Sequence, residues 1–201
     1  MKKIVTILGA RPQFVKAAVL SRVIKEHQQI DEVIVHTGQH FDANMSDVFF
    51  DEMDIPKPKY NLAVNSLGHG AMTGQMMERI EAVLIDEKPD AVVVYGDTNS
   101  TIAGSLTAKK LHIKVVHIEA GLRSFNMKMP EEVNRILTDR ISDLLCCPTD
   151  SALQNLKNEG FDKLPIQIEK NGDIMKDAVT YYSQFSEEKS NIIQELNLHN
   201  K

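Results

Sequence analysis

Short runs of β-branched and other apolar residues alternate with longer stretches of helical periodicity along the chain. The apolar runs predict strands at residues 4–8, 32–36, 60–62, 91–95, 114–118, 144–147 and 165–168. The stretches between them predict helices at residues 14–26, 44–53, 70–86, 99–111, 131–142 and 149–159, and from 173 onward. Strands and helices that alternate in this way form a parallel sheet buried beneath helices. The sequence therefore predicts an α/β fold with a doubly wound, mostly parallel sheet.

Length and composition exclude several classes of protein. With 201 residues, of which 42% are hydrophobic and 25% charged, the chain can form one large domain or one domain with helical appendages. The net charge of −5 and the lack of a Lys/Arg stripe argue against nucleic acid as a partner. No apolar run reaches the ~18 residues of a membrane span, so we predict no membrane partner. The first run stops at Arg11 and Pro12 without a cleavage site, which indicates a strand rather than a signal peptide.

The two cysteines, Cys146 and Cys147, are adjacent on a predicted strand. Neighbouring strand residues point to opposite faces, so we expect no disulfide between them. No second cysteine pair is present to complete a zinc site. The prediction is two buried thiols in a reducing cytoplasm.

Three polar loops follow apolar strands, at the edge where an open parallel sheet binds its ligands. Asp97 and Glu119 end successive predicted strands, and Glu131 opens the helix that comes next. We therefore expect the three carboxylates to converge on one crevice. Carboxylates placed close together suit groups that must donate and accept protons near neutral pH. A metal site is the alternative, although no His-x-x-x-His or Asp-x-Asp spacing supports it.

Each of these carboxylates also has a structural explanation. Asp97 could cap the helix that follows it. Glu119 could pair with Arg123, because a carboxylate buried after an apolar strand is costly unless it is paired or neutralised. Glu131 and Glu132 lie in the first turn of a helix, which is a favoured place for acidic residues. The residues alone leave both explanations open for each position.

The first loop, Gly9-Ala10-Arg11-Pro12-Gln13, lacks the spacing of a dinucleotide-binding fingerprint. It places Arg11 at a helix N-terminus, where a guanidinium suits a diphosphate or a developing negative charge. A surface arginine paired with a carboxylate is the alternative. His36 and His117 fall on predicted strands and are expected in the core, whereas His40 lies in a loop at the ligand-binding edge and could serve either role.

Six motifs occur in order along the chain: Gly-Ala-Arg-Pro-Gln (9–13), Thr-Gly-Gln-His (37–40), Gly-Asp-Thr-Asn-Ser-Thr (96–101), His-Ile-Glu-Ala-Gly-Leu-Arg-Ser (117–124), Pro-Glu-Glu-Val-Asn-Arg (130–135) and Asn-Gly-Asp (171–173). Together they resemble the UDP-N-acetylglucosamine 2-epimerases, mainly the non-hydrolysing bacterial kind. The resemblance implies a two-domain fold of the glycosyltransferase-B type with the active site between the domains. It makes residues 1–180 the N-terminal Rossmann-like domain. Residues 181–201 become a helical tail that starts the connection to a C-terminal domain absent from this chain.

The resemblance also implies a reaction and a set of residues. The reaction converts UDP-GlcNAc to UDP-ManNAc at C2 by elimination and re-addition of UDP, without NAD, metal or any other cofactor. The residues at the family's catalytic positions are Asp97, Glu119 and Glu131, with acid and base roles left open. Substrate-binding residues are Arg11, Gln39, His40, Arg123 and Arg135. A homodimer, a UDP-sugar as substrate and a place in polysaccharide biosynthesis are further implications of the family.

Several alternatives stay open. Gln13 stands where many members have Glu, and the form Gly-Ala-Arg-Pro-Gln-Phe is typical of a branch that includes epimerases of diacetamido-uronate sugars. A hydrolysing epimerase would release UDP and ManNAc, and a sugar-nucleotide-binding half-domain would have no catalysis. Gln39 and His40 match the start of a segment that binds an activator in some members, but the residues after them depart from it. We expect the chain alone to be inactive, because half of the cleft is missing.

Overall fold

The computed structural model describes residues 1–39, 50, 53–189 and 195–196, with residues 186–189 described by their backbone only. Its strands are β1 (Lys2–Leu8), β2 (Ile30–His36), β3 (Tyr60–Asn61), β4 (Ala91–Tyr95), β5 (Lys114–Ile118), β6 (Leu144–Cys147) and β7 (Gln167–Lys170). Its helices are α1 (Arg11–His27), α2 (His69–Glu87), α3 (Asn99–Lys110), α4 (Pro130–Ile141), α5 (Asp150–Asn158) and α6 (Ile174–Lys189), with a 3-10 turn at Phe161–Lys163. Most of the helix predicted at residues 44–53 lies outside the described residues.

The strands form one parallel sheet of seven strands in the order β3-β2-β1-β4-β5-β6-β7, which confirms the predicted doubly wound α/β fold. Both faces of the sheet are buried, as β4 shows. Val92 and Val94 pack into a core with residues of α2 and α3, whereas Val93 and Tyr95 pack into a second core with residues of α1. Because successive strand residues alternate between faces, an uninterrupted apolar run is what a two-sided burial requires.

Several helix and strand ends differ from the sequence prediction by a few residues. Helix α1 begins at Arg11 rather than at residue 14, because Pro12 is compatible with the first helical turn. Strand β7 lies two residues later than predicted. Thr98 caps α3 and Thr149 caps α5, each through its side-chain oxygen. None of the helices in the described ranges is long and apolar enough to cross a membrane.

The reversal of strand order places β1 beside β4, while the helices that follow these strands cover opposite faces of the sheet. This switch point is where open α/β sheets bind ligands. Gly9, which follows β1, permits the close approach of the segments that follow β2 and β4. A Cβ atom added to Gly9 would lie 2.0 Å from Ser100 Oγ and 2.2 Å from Thr37 Oγ1. The Thr37 and Ser100 hydroxyls themselves are 2.8 Å apart.

We predict that Gly9→Ala lowers the free energy of unfolding by about 1–3 kcal/mol, because the added methyl group forces packed atoms apart. Urea unfolding followed by circular dichroism measures the change. The matched control is Gly74→Ala within α2, where an added Cβ meets no atom within 4 Å. That change is expected to be neutral or to stabilise the chain by up to about 1 kcal/mol, since alanine favours a helix over glycine. Equal stability of the two variants would contradict the close approach at Gly9.

Candidate active site

Asp97 and Glu119 both lie at the carboxyl edge of the sheet, after neighbouring strands. Strands β4 and β5 are neighbours, and their register pairs Tyr95 with Ile118. Asp97 therefore lies two residues and Glu119 one residue beyond a paired position. The prediction that these two carboxylates share one edge of the sheet is confirmed, because the paired ends of the two strands fix where both residues emerge.

Glu119 is paired with a lysine that the sequence prediction missed. Its Oε2 contacts Lys16 Nζ, and the two side chains are only 22% and 9% exposed. The alternative explanation, an ion pair between Glu119 and Arg123, does not hold, because α1 supplies the cation and Arg123 pairs with other carboxylates. Lys16 stands among apolar and small residues on the buried side of α1. The sequence did contain a signal for this ion pair, because Lys16 falls on the core-facing side of a predicted helix and lysine is rarely buried without a partner.

The backbone around this ion pair is unusual. Glu119 has φ of 72°, a left-handed conformation that a residue with a side chain rarely adopts and that is often found at functional sites. Gly96, on the neighbouring loop, has φ of 63°. A Cβ on Gly96 would lie 3.2 Å from Glu119 Oε2 and 3.5 Å from Lys16 Nζ. The glycine thus leaves the space in which the charged groups meet.

Asp97 is held by α4 rather than acting as a helix cap. Its Oδ2 contacts a terminal nitrogen of Arg135, and its backbone oxygen accepts a hydrogen bond of 2.9 Å from Asn134 Nδ2. The other terminal nitrogen of Arg135 contacts Glu132 Oε2. Arg135, predicted to bind substrate, is thereby placed directly against a predicted catalytic carboxylate. Asp97 and Glu119 each face a cation, so repulsion between carboxylates does not govern this arrangement.

The two adjacent acids at the start of α4 have different surroundings. Glu131 is exposed, whereas Glu132 is buried and accepts hydrogen bonds of 2.9 Å from the backbone N–H groups of Ser124 and Phe125. Burial tends to raise the pKa of Glu132, but these hydrogen bonds and Arg135 outweigh it and lower the pKa below its ordinary value. Glu132 therefore organises the loop after β5, a role that the sequence did not predict.

Arg123 belongs to a buried ion-pair network. Its NH1 lies 2.7 Å from Asp139 Oδ2, its Nε lies 2.7 Å from Glu159 Oε1, and its side chain is 1% exposed. Burial disfavours the charged guanidinium, but the two carboxylates outweigh burial and raise its pKa. Each guanidinium nitrogen donates to a protein oxygen. The structure thus gives Arg123 a part in holding the loop after β5, which the sequence did not predict.

Gln13 joins the two loops of the switch point. Its Oε1 accepts hydrogen bonds from the backbone N–H groups of Gly9 (2.8 Å) and Ala10 (3.0 Å). Its Nε2 donates to Tyr95 O (2.8 Å) and to Thr101 Oγ1 (3.0 Å). An ionised glutamate could not donate to the Tyr95 carbonyl, so the amide at this position suits both loops at once.

The remaining predicted residues lie at the same edge of the sheet or outside the described residues. Gln39 Oε1 accepts a hydrogen bond of 3.0 Å from Ser100 Oγ, close to Gly9. Arg11 is exposed in the first turn of α1, as predicted. His40 lies outside the residues that the structure describes. His36 and His117 are buried on strands, which confirms their prediction as core residues. Over the described ranges, no group of three or more His, Cys, Asp or Glu side chains is placed to hold a metal ion.

The sequence profile of a family described as UDP-N-acetylglucosamine 2-epimerase matches residues 22–201. The chain belongs to this family. The fold is the Rossmann-like N-terminal half of the glycosyltransferase-B type architecture found in structures of UDP-N-acetylglucosamine 2-epimerases. The crystal structure of the 2-epimerase from Methanocaldococcus jannaschii in complex with UDP-GlcNAc and UDP superposes with a TM-score of 0.90 at 45% identity. It matches 98% of this chain and 53% of that one.

This chain also matches only about half of the length of its curated relatives. UDP-2,3-diacetamido-2,3-dideoxy-D-glucuronate 2-epimerase of Pseudomonas aeruginosa is 59% identical over 90% of this chain and 51% of its own length. The UDP-N-acetylglucosamine 2-epimerase homolog of Methanococcus maripaludis is 53% identical over 99% of this chain and 55% of its own length. This member of the 2-epimerase family therefore spans about half the length of the curated relatives that it matches.

Proposed function

We propose that this chain supplies the carboxylate side of an active site that epimerises a UDP-N-acetyl-hexosamine at C2, converting UDP-GlcNAc to UDP-ManNAc. The observation that carries the proposal is the placement of Asp97 and Glu119 at one edge of the sheet, each against a cation from a helix. Membership in the 2-epimerase family supports it. So does the similarity to a 2-epimerase that was crystallised with UDP-GlcNAc and UDP.

The chemistry at C2 requires several charged groups. No carbonyl is adjacent to C2, so simple removal and return of its proton is implausible. In the proposed reaction a base takes the C2 proton while the bond from C1 to the UDP oxygen breaks, which leaves a glycal-type 2-acetamido intermediate and free UDP. UDP then adds back to C1 while an acid returns a proton to the other face of C2. Asp97, Glu119 and Glu131 are the proposed acid and base groups.

Cations at the same edge of the sheet suit the departing diphosphate. Arg11 lies in the first turn of α1, where backbone N–H groups and the helix dipole also favour an anion. Gln39 and Arg135 stay in the proposal as substrate-binding residues, and the prediction for His40 also stays. Arg123 also stays a predicted substrate-binding residue, and Asp139 and Glu159 hold its guanidinium in place. Lys16 joins the site through its contact with Glu119.

The proposed enzyme needs more than this chain. Relatives are about twice as long, so we propose that a C-terminal domain completes the cleft and that residues after 180 begin the connection to it. A homodimer without cofactor in the cytoplasm, making precursors of polysaccharide, stays a prediction from the family. Both cysteines are free and buried, which is compatible with a reducing compartment.

A second candidate substrate is a UDP-diacetamido-uronate sugar. The relative from Pseudomonas aeruginosa named for that activity is 59% identical. The first loop also reads Gly-Ala-Arg-Pro-Gln-Phe, the form associated with that branch. The same carboxylates would carry out the same elimination and re-addition, so the two candidates differ in the sugar that the cleft admits and not in the reaction.

The test uses two chimeric proteins, called joined proteins below. In each, this chain is fused to the C-terminal half of either the Methanocaldococcus jannaschii or the Pseudomonas aeruginosa relative. Each is incubated with UDP-GlcNAc or the diacetamido-uronate in D₂O and followed by proton NMR. We expect UDP-ManNAc carrying deuterium at C2. Turnover of the uronate alone would favour the second candidate, and free ManNAc with UDP would indicate a hydrolysing enzyme. The chain alone is the control and is expected to be inactive. Folded joined proteins that turn over neither sugar would contradict the proposal.

A further inference from the structure

His117, the penultimate residue of β5, is fully buried and makes two short contacts. Its Nδ1 lies 2.7 Å from Asp139 Oδ1 on α4. Its Nε2 lies 2.7 Å from the carbonyl oxygen of Gly96, the residue before Asp97. Both ring nitrogens are thus within hydrogen-bond distance of an oxygen, on opposite sides of the ring.

Both of these oxygens can only accept a hydrogen bond. The Gly96 carbonyl has no proton to give. Asp139 Oδ2 also accepts from Gly121 N (3.1 Å) and Arg123 NH1 (2.7 Å). Burial tends to raise the pKa of Asp139, but the contacts with His117 and Arg123 outweigh burial and lower it. Because Oδ2 accepts from two donors, one of them the permanently charged guanidinium of Arg123, Asp139 is present as a carboxylate.

A neutral imidazole carries a proton on one nitrogen only. In this pocket its other nitrogen would turn a lone pair toward either the Gly96 carbonyl or the Asp139 carboxylate, at 2.7 Å, which is too short a distance for a water molecule to lie between them. A ring protonated on both nitrogens satisfies both contacts, and its charge is balanced by Asp139. The ionisable groups around these two residues include Arg123 on the far side of Asp139 and the Lys16–Glu119 pair beside Gly96. The Cys147 thiol on β6 also interacts with Asp139, and burial raises its pKa to about 12.

We propose that His117 is held as an imidazolium and acts as a positioning residue that fixes the loops carrying Asp97 and Glu119. Through Nε2–H it holds the carbonyl that precedes Asp97. Through Nδ1–H it orients Asp139, which in turn holds the N–H of Gly121, two residues after Glu119. Glu119 keeps a left-handed φ of 72°, and such a conformation persists only where its surroundings fix it.

The protonation state is tested on this chain itself, labelled with ¹⁵N in its histidine rings. The His117 signals are assigned by their loss in His117→Asn. We expect both ring nitrogens of His117 to carry protons at neutral pH, because each lies 2.7 Å from an oxygen that can only accept a hydrogen bond. An unprotonated ring nitrogen on His117 under these conditions would overturn the proposal.

The positioning role rests on the proposed function and is tested in the joined protein that is active. His117→Asn is expected to lower kcat by about 10- to 100-fold with KM changed less than about 3-fold, because the charge-assisted contacts orient the reacting groups and not the bound sugar. The matched control is Val115→Ala, a fully buried position on the same strand and face. It is expected to lower the melting temperature similarly while kcat stays within about 2-fold.

Equal loss of kcat in His117→Asn and Val115→Ala, or a kcat of His117→Asn within about 2-fold of wild type, would overturn the positioning role. If His117→Asn does not fold, His117→Gln takes its place in the same comparison. Wild-type joined proteins that are folded and inactive would contradict the proposed function instead. The ring signals of the wild-type chain would still decide the protonation state of His117, so the two failures are distinguishable.

Discussion

Glu119→Gln in an active joined protein is expected to lower kcat by about 1,000-fold while leaving the protein folded, because glutamine has the size of glutamate but cannot take or return a proton. Its amide oxygen can still accept the hydrogen bond from Lys16, so we expect the free energy of unfolding to fall by only about 1–2 kcal/mol. Turnover in D₂O followed by proton NMR measures the rate, and urea unfolding measures the stability.

The matched control for this variant is Glu169→Gln, an exposed carboxylate on β7. It removes the same charge from the same type of side chain, and we expect its kcat to be unchanged. Lys16→Met then distinguishes the acid or base role of Glu119 from the effect of its ion pair, since this variant removes the cation and keeps Glu119. Wild-type rates in a folded Glu119→Gln protein would rule out Glu119 as an acid or base. A loss no larger than that of Lys16→Met, with no further loss in the double variant, would assign the effect to the ion pair.

Asp139→Ala is expected to lower the free energy of unfolding by about 3–5 kcal/mol, the largest effect on stability that we predict. Asp139 is fully buried and accepts hydrogen bonds from His117, Gly121 and Arg123. Its removal leaves two buried cationic groups without their shared carboxylate, and an uncompensated buried charge is strongly destabilising. Urea unfolding of this chain measures the change.

The control for Asp139→Ala is Asp150→Ala, which removes an aspartate from an exposed ion pair with Lys170. Exposed pairs of this kind contribute about 0–1 kcal/mol, so the two variants should differ by several-fold in their cost. A cost below about 1 kcal/mol for Asp139→Ala would show that the buried network is not essential to the fold. It would also remove the structural basis for the role proposed for His117.

The fold was largely predictable because its signals are local. The apolar run of β4 and the helical spacing of α2 depend only on neighbouring residues, and both elements lie within one residue of their predicted bounds. The edge on which Asp97 and Glu119 emerge was also predictable, because it follows from parallel strands alone. The pairing of Glu119 was not, since its cation lies on α1, 103 residues earlier in the chain.

Glu131 and Glu132 also show that local sequence predicts a position but not its tertiary contacts, here for two adjacent residues. Their sequence positions differ by one residue, and both suit the first turn of a helix. Only the packed loop after β5 distinguishes them, because its backbone N–H groups and Arg135 surround Glu132 and leave Glu131 exposed.

The sequence by itself determined the order of strands and helices along the chain, the two-sided burial of the sheet and the edge at which Asp97 and Glu119 lie. These follow from side-chain periodicity and from the direction of parallel strands, which are properties of short segments. The tertiary structure alone decided which cation meets each carboxylate, that Gln13 joins two loops, and that His117 faces two acceptors. Those contacts depend on strand order and on the distances between groups far apart in the chain, and no local pattern records them.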